Sequence, residues 1–210
     1  MKKMALVLAA VLASGMVLTA CGGSGNAAKE TTGNNTSTTT TATGGLDLAV
    51  QVGPDPETVD PALNTAIDAS NIILHAFETL LTFDENNDIV PGQAESFDVS
   101  DDGLTYTFHL RDGLKWSDGS DFTAEDFVYS WKRLADPMTA APYAADMLSM
   151  VKGYEEAAAG DIDALAVSAP DAKTLVVELA SPCVYFDKII THASMAPVKK
   201  DVVDANGDQD

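Results

Sequence analysis

Apolar positions along the chain change their period several times, and each change marks an element. Residues 4–20 form an almost unbroken apolar run, interrupted by Ser14, Gly15 and Thr19. Residues 22–45 then hold eight Thr and six Gly but no Leu, Ile, Val or Phe, so they can bury no core. Alternation begins at Leu46-Asp-Leu-Ala-Val-Gln-Val52, which predicts a strand. Three prolines between 53 and 61 predict an extended or irregular loop. From Asp68, the residues Ile72, Ile73, Ala76, Phe77, Leu80 and Leu81 recur at helical spacing and predict one helix with a single buried stripe. Residues 84–88, Asp-Glu-Asn-Asn-Asp, read as a turn before a short extended piece at Ile89 and Val90.

The clearest strand spans 104–111. Leu104, Tyr106, Phe108 and Leu110 share one face, and Thr105, Thr107, His109 and Arg111 share the other. The Asp-Gly pairs at 102–103 and 112–113 bracket it as tight turns, and a third pair follows at 118–119. Thr123 with Glu125 and Asp126 predicts a capped helix start, with Phe127, Val128, Trp131, Leu134 and Ala135 as its buried stripe and Asp136-Pro137 as its end. A second helix is predicted over 144–159 with Gly160 as its cap, a strand over 174–179, and a further helix over 185–191. Strands and helices mix without regular βαβ alternation, so the fold class is mixed α/β of the α+β kind.

Composition sharpens this picture at two points. Asp plus Glu number 32 against 12 Lys plus Arg, a net charge of −20, and no basic run is longer than two. That excludes a general nucleic-acid binder, which needs a clustered basic surface. Lys2 and Lys3 before the apolar run complete a signal peptide over 1–20. The run ends in Leu18-Thr-Ala-Cys21, followed by Gly22 and Gly23, which resembles the lipobox of bacterial lipoproteins. Cys21 is therefore the expected lipidation site and 21–45 the lipid anchor with a flexible tether; more than one acyl chain makes such anchoring stable.

Reactive side chains are sparse. His75 falls on a helix, His109 on a strand, and His192 after the last predicted helix, with no ligand spacing among them. The Asp-rich segments 98–102 and 204–210 lack the spaced calcium-loop pattern and read as solvated turns and caps. No nucleophile elbow or phosphate loop occurs in the folding part, so neither metal nor cofactor nor catalysis is expected. Cys183 reads as a small, half-buried side chain of low reactivity. Trp131 and Tyr106 are assigned to packing by their spacing. Tyr143 lies in the irregular Thr139-Ala-Ala-Pro-Tyr143 segment, where no period explains it, and is a candidate to face a ligand.

Longer motifs add to this. Thr58-Val-Asp-Pro-Ala62, the stretch 95–111, Leu114-Lys-Trp-Ser-Asp-Gly119, the stretches 123–133 and 136–143, Lys173-Thr-Leu-Val-Val-Glu-Leu179 and Pro182-Cys-Val-Tyr-Phe186 resemble the solute-binding proteins of oligopeptide and dipeptide ABC transporters, family 5. The resemblance covers nearly all of 46–203. It implies a periplasmic-binding-protein-like fold of two lobes closing over an extended peptide, with an extra domain inserted in the first lobe. Residues 46–81 would open the first lobe, 82–197 would form the inserted domain, and 198–210 would return toward the first lobe. The family's chains are more than twice this length, so the second lobe, the hinge and the rest of the first lobe are expected beyond these residues.

By the same resemblance, short peptides are held as an added strand through backbone groups. The backbone contacts carry over to Thr65 and Ile67, and Tyr143 matches a tyrosine that leans toward the ligand. Relatives can carry an acid at Thr65, a Trp at Phe97 and a Gly at Thr79, which leaves the preferred peptide size open. The implied partners are peptides, the permease and ATPase of an importer, and the membrane through Cys21, with the chain a monomer on the outer face of a Gram-positive membrane in preference to a periplasm. Alternatives are a binder of nickel chelates, haem or sugars, an incomplete fragment that binds nothing, and, less favoured, an envelope hydrolase. Closure needs both walls, so the 210 residues alone are expected to bind peptide weakly or not at all.

Overall fold

The computed structural model describes residues 49–207. The expected signal peptide, Cys21, the expected tether, positions 46–48 of the first predicted strand and residues 208–210 lie outside these.

Strand β4 (Thr105–Leu110) organises the core, because its strict alternation sends Tyr106, Phe108 and Leu110 to one buried face. It is central in an antiparallel sheet of order β3-β4-β6-β5, with β3 at Ala94–Val99, β5 at Val167–Asp171 and β6 at Thr174–Glu178. Register sets Phe108 opposite Phe97 on one side and Leu175 on the other. Helix α2 (Ala124–Ala135) covers this face with Phe127, Trp131 and Leu134, all essentially inaccessible. Burying each such side chain contributes roughly 1.5–3 kcal/mol. The rings run on as edge contacts, Phe122 to Phe127 at 5.6 Å and Phe127 to Trp131 at 6.2 Å.

Helix α2 starts and stops for local reasons. The Asp126 carboxylate accepts the Thr123 backbone N–H at 2.7 Å, closing a capping box, and acids sit in the first turn while Lys132 and Arg133 sit in the last. At the other end Pro137 forces Asp136 into extended backbone, φ −66° and ψ 122°. The described chain is thus mixed α/β, as expected, and none of its helices is long and apolar enough to cross a membrane.

Several elements differ from the sequence pattern. Residues 49–52 form no strand; they pair with no described strand and Val50 is exposed. The first helix, α1, spans Ile67–Ala76 and stops before Phe77, which is extended. Leu81 instead enters β1 (Leu81–Phe83), which pairs with β2 (Ile89–Pro91), and the Leu80 carbonyl accepts N–H groups from Gly92 and Ala94. Six apolar residues at helical spacing thus include two that belong to a hairpin, because backbone pairing there is stronger than the accidental period.

The predicted 144–159 helix is two short ones, α3 (Ala144–Leu148) and α4 (Tyr154–Ala158). Between them the backbone joins the end of the sheet: Lys152 N–H donates to Glu178 O and Ala180 N–H to Met150 O, each at 2.9 Å. Gly153 makes the break possible with φ +80°, and a Cβ there would collide with the Ala164 carbonyl. The helix predicted over 185–191 is shorter, α5 (Phe186–Ile189), and an unpredicted helix, α6 (Lys200–Asn206), extends into the first residues of the 204–210 segment read as solvated turns and caps. The strand predicted over 174–179 forms as β6.

Gly153→Ala combines a strained left-handed backbone angle with a steric overlap against the Ala164 carbonyl, so it is expected to cost about 2 kcal/mol or more, read as a lower midpoint in denaturant unfolding.

Candidate functional site

The loop before α1 is built from short polar side chains that fold back on their own backbone. Thr58 Oγ1 accepts the Asp60 N–H at 3.0 Å, Asp60 Oδ1 accepts the Ala62 N–H at 2.9 Å, and the Asp60 carbonyl accepts the Asn64 N–H at 3.0 Å. Asn64, buried, accepts the Ala66 N–H on Oδ1 at 2.9 Å and donates Nδ2–H to Ser70 Oγ at 2.8 Å. Ala66, the residue before α1, has no capping side chain, and Asn64 orders the chain entering the helix by taking the Ala66 N–H and not the first-turn donors.

This loop is fastened to α2 by a fork. Arg133 Nη1 and Nη2 donate to the two Asp60 carboxylate oxygens at 3.0 and 2.7 Å, with the arginine side chain 4% and the aspartate 21% exposed. Bidentate geometry of this kind fixes orientation as well as distance.

Thr65 and Ile67 are left exposed by this arrangement, Ile67 at 83%. A cavity of about 490 Å³ opens beside Thr65, lined also by Glu57, Thr58, Asn64 and, from the other side, Pro142. Tyr143, next in sequence, is half-buried at the start of α3, its ring edge-on to His192 at 5.6 Å and 73°. The structure thus brings the Thr65 loop and Pro142 to one hollow, while Tyr143, one residue further on, and Ile67 line none of it. A larger hollow of about 730 Å³ lies between the end of α1 and Leu114–Trp116, and includes none of the three candidates.

His192 was legible only as an isolated histidine. Its Nδ1 accepts the Ser194 N–H at 3.2 Å. Burial holds its pKa below the usual histidine value, against the opposing pull of the Asp146 carboxylate. Of the other histidines, His75 is exposed and bonded to Asn71 O within its helix, and His109 pairs with Asp98 at 3.0 Å. Among the described residues no group of three His, Cys, Asp or Glu could hold a metal ion. In the Asp-rich turn, Asp102 accepts from the Ser100 hydroxyl at 2.6 Å and the Leu104 N–H at 3.1 Å. Cys183 is buried, more deeply than its sequence context implied, beneath a carbonyl that accepts the Tyr106 hydroxyl at 3.1 Å. Trp131 donates Nε1–H to Met195 O at 3.0 Å, as a core residue with its polar atom satisfied.

Comparison with known proteins adds a family. The profile of the bacterial extracellular solute-binding proteins, family 5 middle region, matches residues 88–210. The periplasmic oligopeptide-binding protein OppA of Escherichia coli K12 is 41% identical over 160 residues, 75% of this chain and 29% of that protein. The E. coli protein named "Probable deoxycholate-binding periplasmic protein YgiS" is 39% identical over 157 residues, 73% of this chain and 29% of that protein. The crystal structure of Haemophilus influenzae OppA in complex with RPPGFSPFR superposes with a TM-score of 0.72 at 39% identity, covering 75% of this chain and 31% of that one. The chain therefore spans about three tenths of the length of the relatives it matches.

Two outcomes are expected from this geometry. Asp60→Asn takes the paired carboxylate charge away from the buried Arg133 guanidinium and should cost about 3 kcal/mol in denaturant unfolding. The second concerns pH. An unfolded histidine titrates near 6.5 and the folded His192 lower, so its contribution is fully present above that value and is lost as pH falls through the folded pKa. His192→Asn keeps an acceptor for Ser194 N–H but cannot titrate; its unfolding free energy should fall less between about pH 7 and 5 than that of the unsubstituted protein.

Proposed function

Because the chain belongs to the bacterial extracellular solute-binding proteins of family 5, we propose that it forms the N-terminal portion of an extracytoplasmic receptor that captures short peptides for an ABC importer. The observation that carries the reading is the convergence of the Thr65 loop and Pro142, the residue before Tyr143, on one cavity. Peptide binding in the relatives named OppA supports it. In this reading residues 46–81 open a first lobe, 82–197 are an inserted domain, and 198–210 turn back to the first lobe.

The ligand lies as an added strand, paired with backbone groups at Thr65 and Ile67 and flanked by the Tyr143 ring. Backbone pairing gives affinity without reading side chains, which suits uptake of many sequences. Ile67 is the first residue of α1, where N–H groups have no partner inside the helix. The receptor performs no chemistry of its own and passes its ligand to a permease driven by an ATPase. The tetrad ending in Cys21 supports a lipid anchor with residues 21–45 as tether, holding a monomeric receptor at the outer face of a Gram-positive membrane.

The near-equal similarity to the protein named for deoxycholate favours one second reading, a receptor for a different solute on the same scaffold. Calorimetry on the full-length protein separates the two. Peptides of unrelated sequence should bind with similar affinity, and silence across them would reject the peptide reading. Ile67→Pro tests the backbone contact: proline is tolerated at a first helical position, and Ala66 before it is already extended at ψ 141°. Losing that single N–H should weaken every peptide about tenfold, whereas Ile67→Ala should cost less.

A further inference from the structure

We propose that Ala140 is a positioning residue for the ligand: its left-handed backbone holds Pro142 across the cavity from the Thr65 loop and the Tyr143 ring against His192. The proposal rests on the reading of that cavity as the peptide site. Ala140 has φ +53°, a region where the Cβ crowds the neighbouring carbonyl and which residues other than glycine and asparagine seldom adopt. Strain of this kind persists only where the surroundings over-determine it.

The surroundings do so from both sides. Upstream, Asp136 Oδ1 accepts the Met138 N–H at 2.8 Å, Asp136 O accepts the Thr139 N–H at 3.1 Å, and Pro137 O accepts the Ala140 N–H at 3.2 Å. Thr139 is 1% exposed, and its buried hydroxyl has no hydrogen-bond partner. Downstream, Pro142 biases Ala141 away from helix. The Ala141 carbonyl accepts the Ala144 N–H at 3.3 Å and the Tyr143 carbonyl accepts the Met147 N–H at 3.0 Å.

Ala140 is therefore the joint at which the chain leaving α2 reverses toward Asn64 and Thr65. A strained residue beside an unsatisfied buried hydroxyl is a double cost that core packing does not require, and glycine at 140 would remove half of it. What the cost secures is geometry. Pro142 meets the Thr65 loop across the cavity, and the Tyr143 ring is fixed edge-on to His192. A wall fixed before the ligand arrives does not have to be ordered by it.

The test uses the full-length protein. Ala140→Gly widens the backbone basin at the joint, so affinity for short peptides should fall about tenfold, while relief of the left-handed strain is offset by the freer unfolded chain and the midpoint of denaturant unfolding stays close to that of the unsubstituted protein. In the unliganded state, the NMR shifts of the His192 ring protons, set by the Tyr143 ring, should move toward those of a free histidine. Asparagine tolerates the left-handed region and keeps a Cβ, so Ala140→Asn should restore both affinity and shift. Full affinity with an unmoved His192 signal in Ala140→Gly would overturn the proposal. So would a loss of affinity that only follows a lowered unfolding midpoint, the mark of a merely structural role. If the unsubstituted protein bound no peptide, the reading of the cavity would fall and this proposal with it, an outcome distinct from the other two.

Discussion

The ion pair between Asp60 and Arg133 is the constraint on which the candidate site depends. The two residues are 73 apart in sequence and meet as a two-pronged fork at 3.0 and 2.7 Å. Removing two charges from water costs several kcal/mol per ion, and their attraction inside the protein does little more than offset it. Such a pair is a poor source of net stability and a good source of register. Asp60 also organises its own loop through Ala62 and Asn64, so the fork fixes the whole Thr58–Ala66 segment against α2. A hydrophobic contact at the same place would leave that loop free to slide.

One turn of α2 serves three segments, the Thr65 loop and the Pro142 stretch that line the cavity and the chain that carries His192. Arg133 takes the Thr65 loop. Ser130 accepts the Val198 N–H at 2.8 Å while donating to Asp126 O, and Trp131 donates to Met195 O, so the same turn fixes the chain from which His192 reaches Tyr143. Three residues beyond Arg133, Asp136 begins the reversal that leads to Pro142. The opposite side of this turn is packed into the main core through Trp131 and Leu134. Rigidity of the core is thereby transferred to groups that themselves lie near solvent, which is how a surface hollow can keep a fixed shape.

How much of this could be read in advance follows from range. Strand β4 and helix α2 were legible because their period, caps and stops are local. Strand β3 was not, since Glu95, Ser96 and Asp98 leave its apolar face with Ala94 and half-buried Phe97 alone; neither was β5, whose Pro170 is tolerated only because the strand is an edge. The overlong first helix shows the converse error, in which Leu80 and Leu81 kept helical spacing while their backbone belonged to a hairpin. At the site, Tyr143 stood out because no period accounted for it. Its neighbour His192 and the Asp60–Arg133 fork carry no local signal at all. Asn64, two residues before an uncapped helix start, was the one missed residue with a readable cue.

The strong acidity of the chain also takes on a different meaning. Asp84, Asp102 and Asp171 have pKa values lowered chiefly by turn backbone N–H groups or a neighbouring hydroxyl, and Asp112, Asp118 and Asp163 are lowered by lysines. These carboxylates are structural acceptors distributed over turns and strand ends. Around the cavity, Glu57 is the one charged residue among the lining side chains, beside Thr58, Asn64, Thr65 and Pro142. A net charge of −20 therefore does not translate into a focused field at the hollow. A wall of small polar side chains, Leu63, Ala66, Pro142 and one acid offers little charge by which to select a ligand.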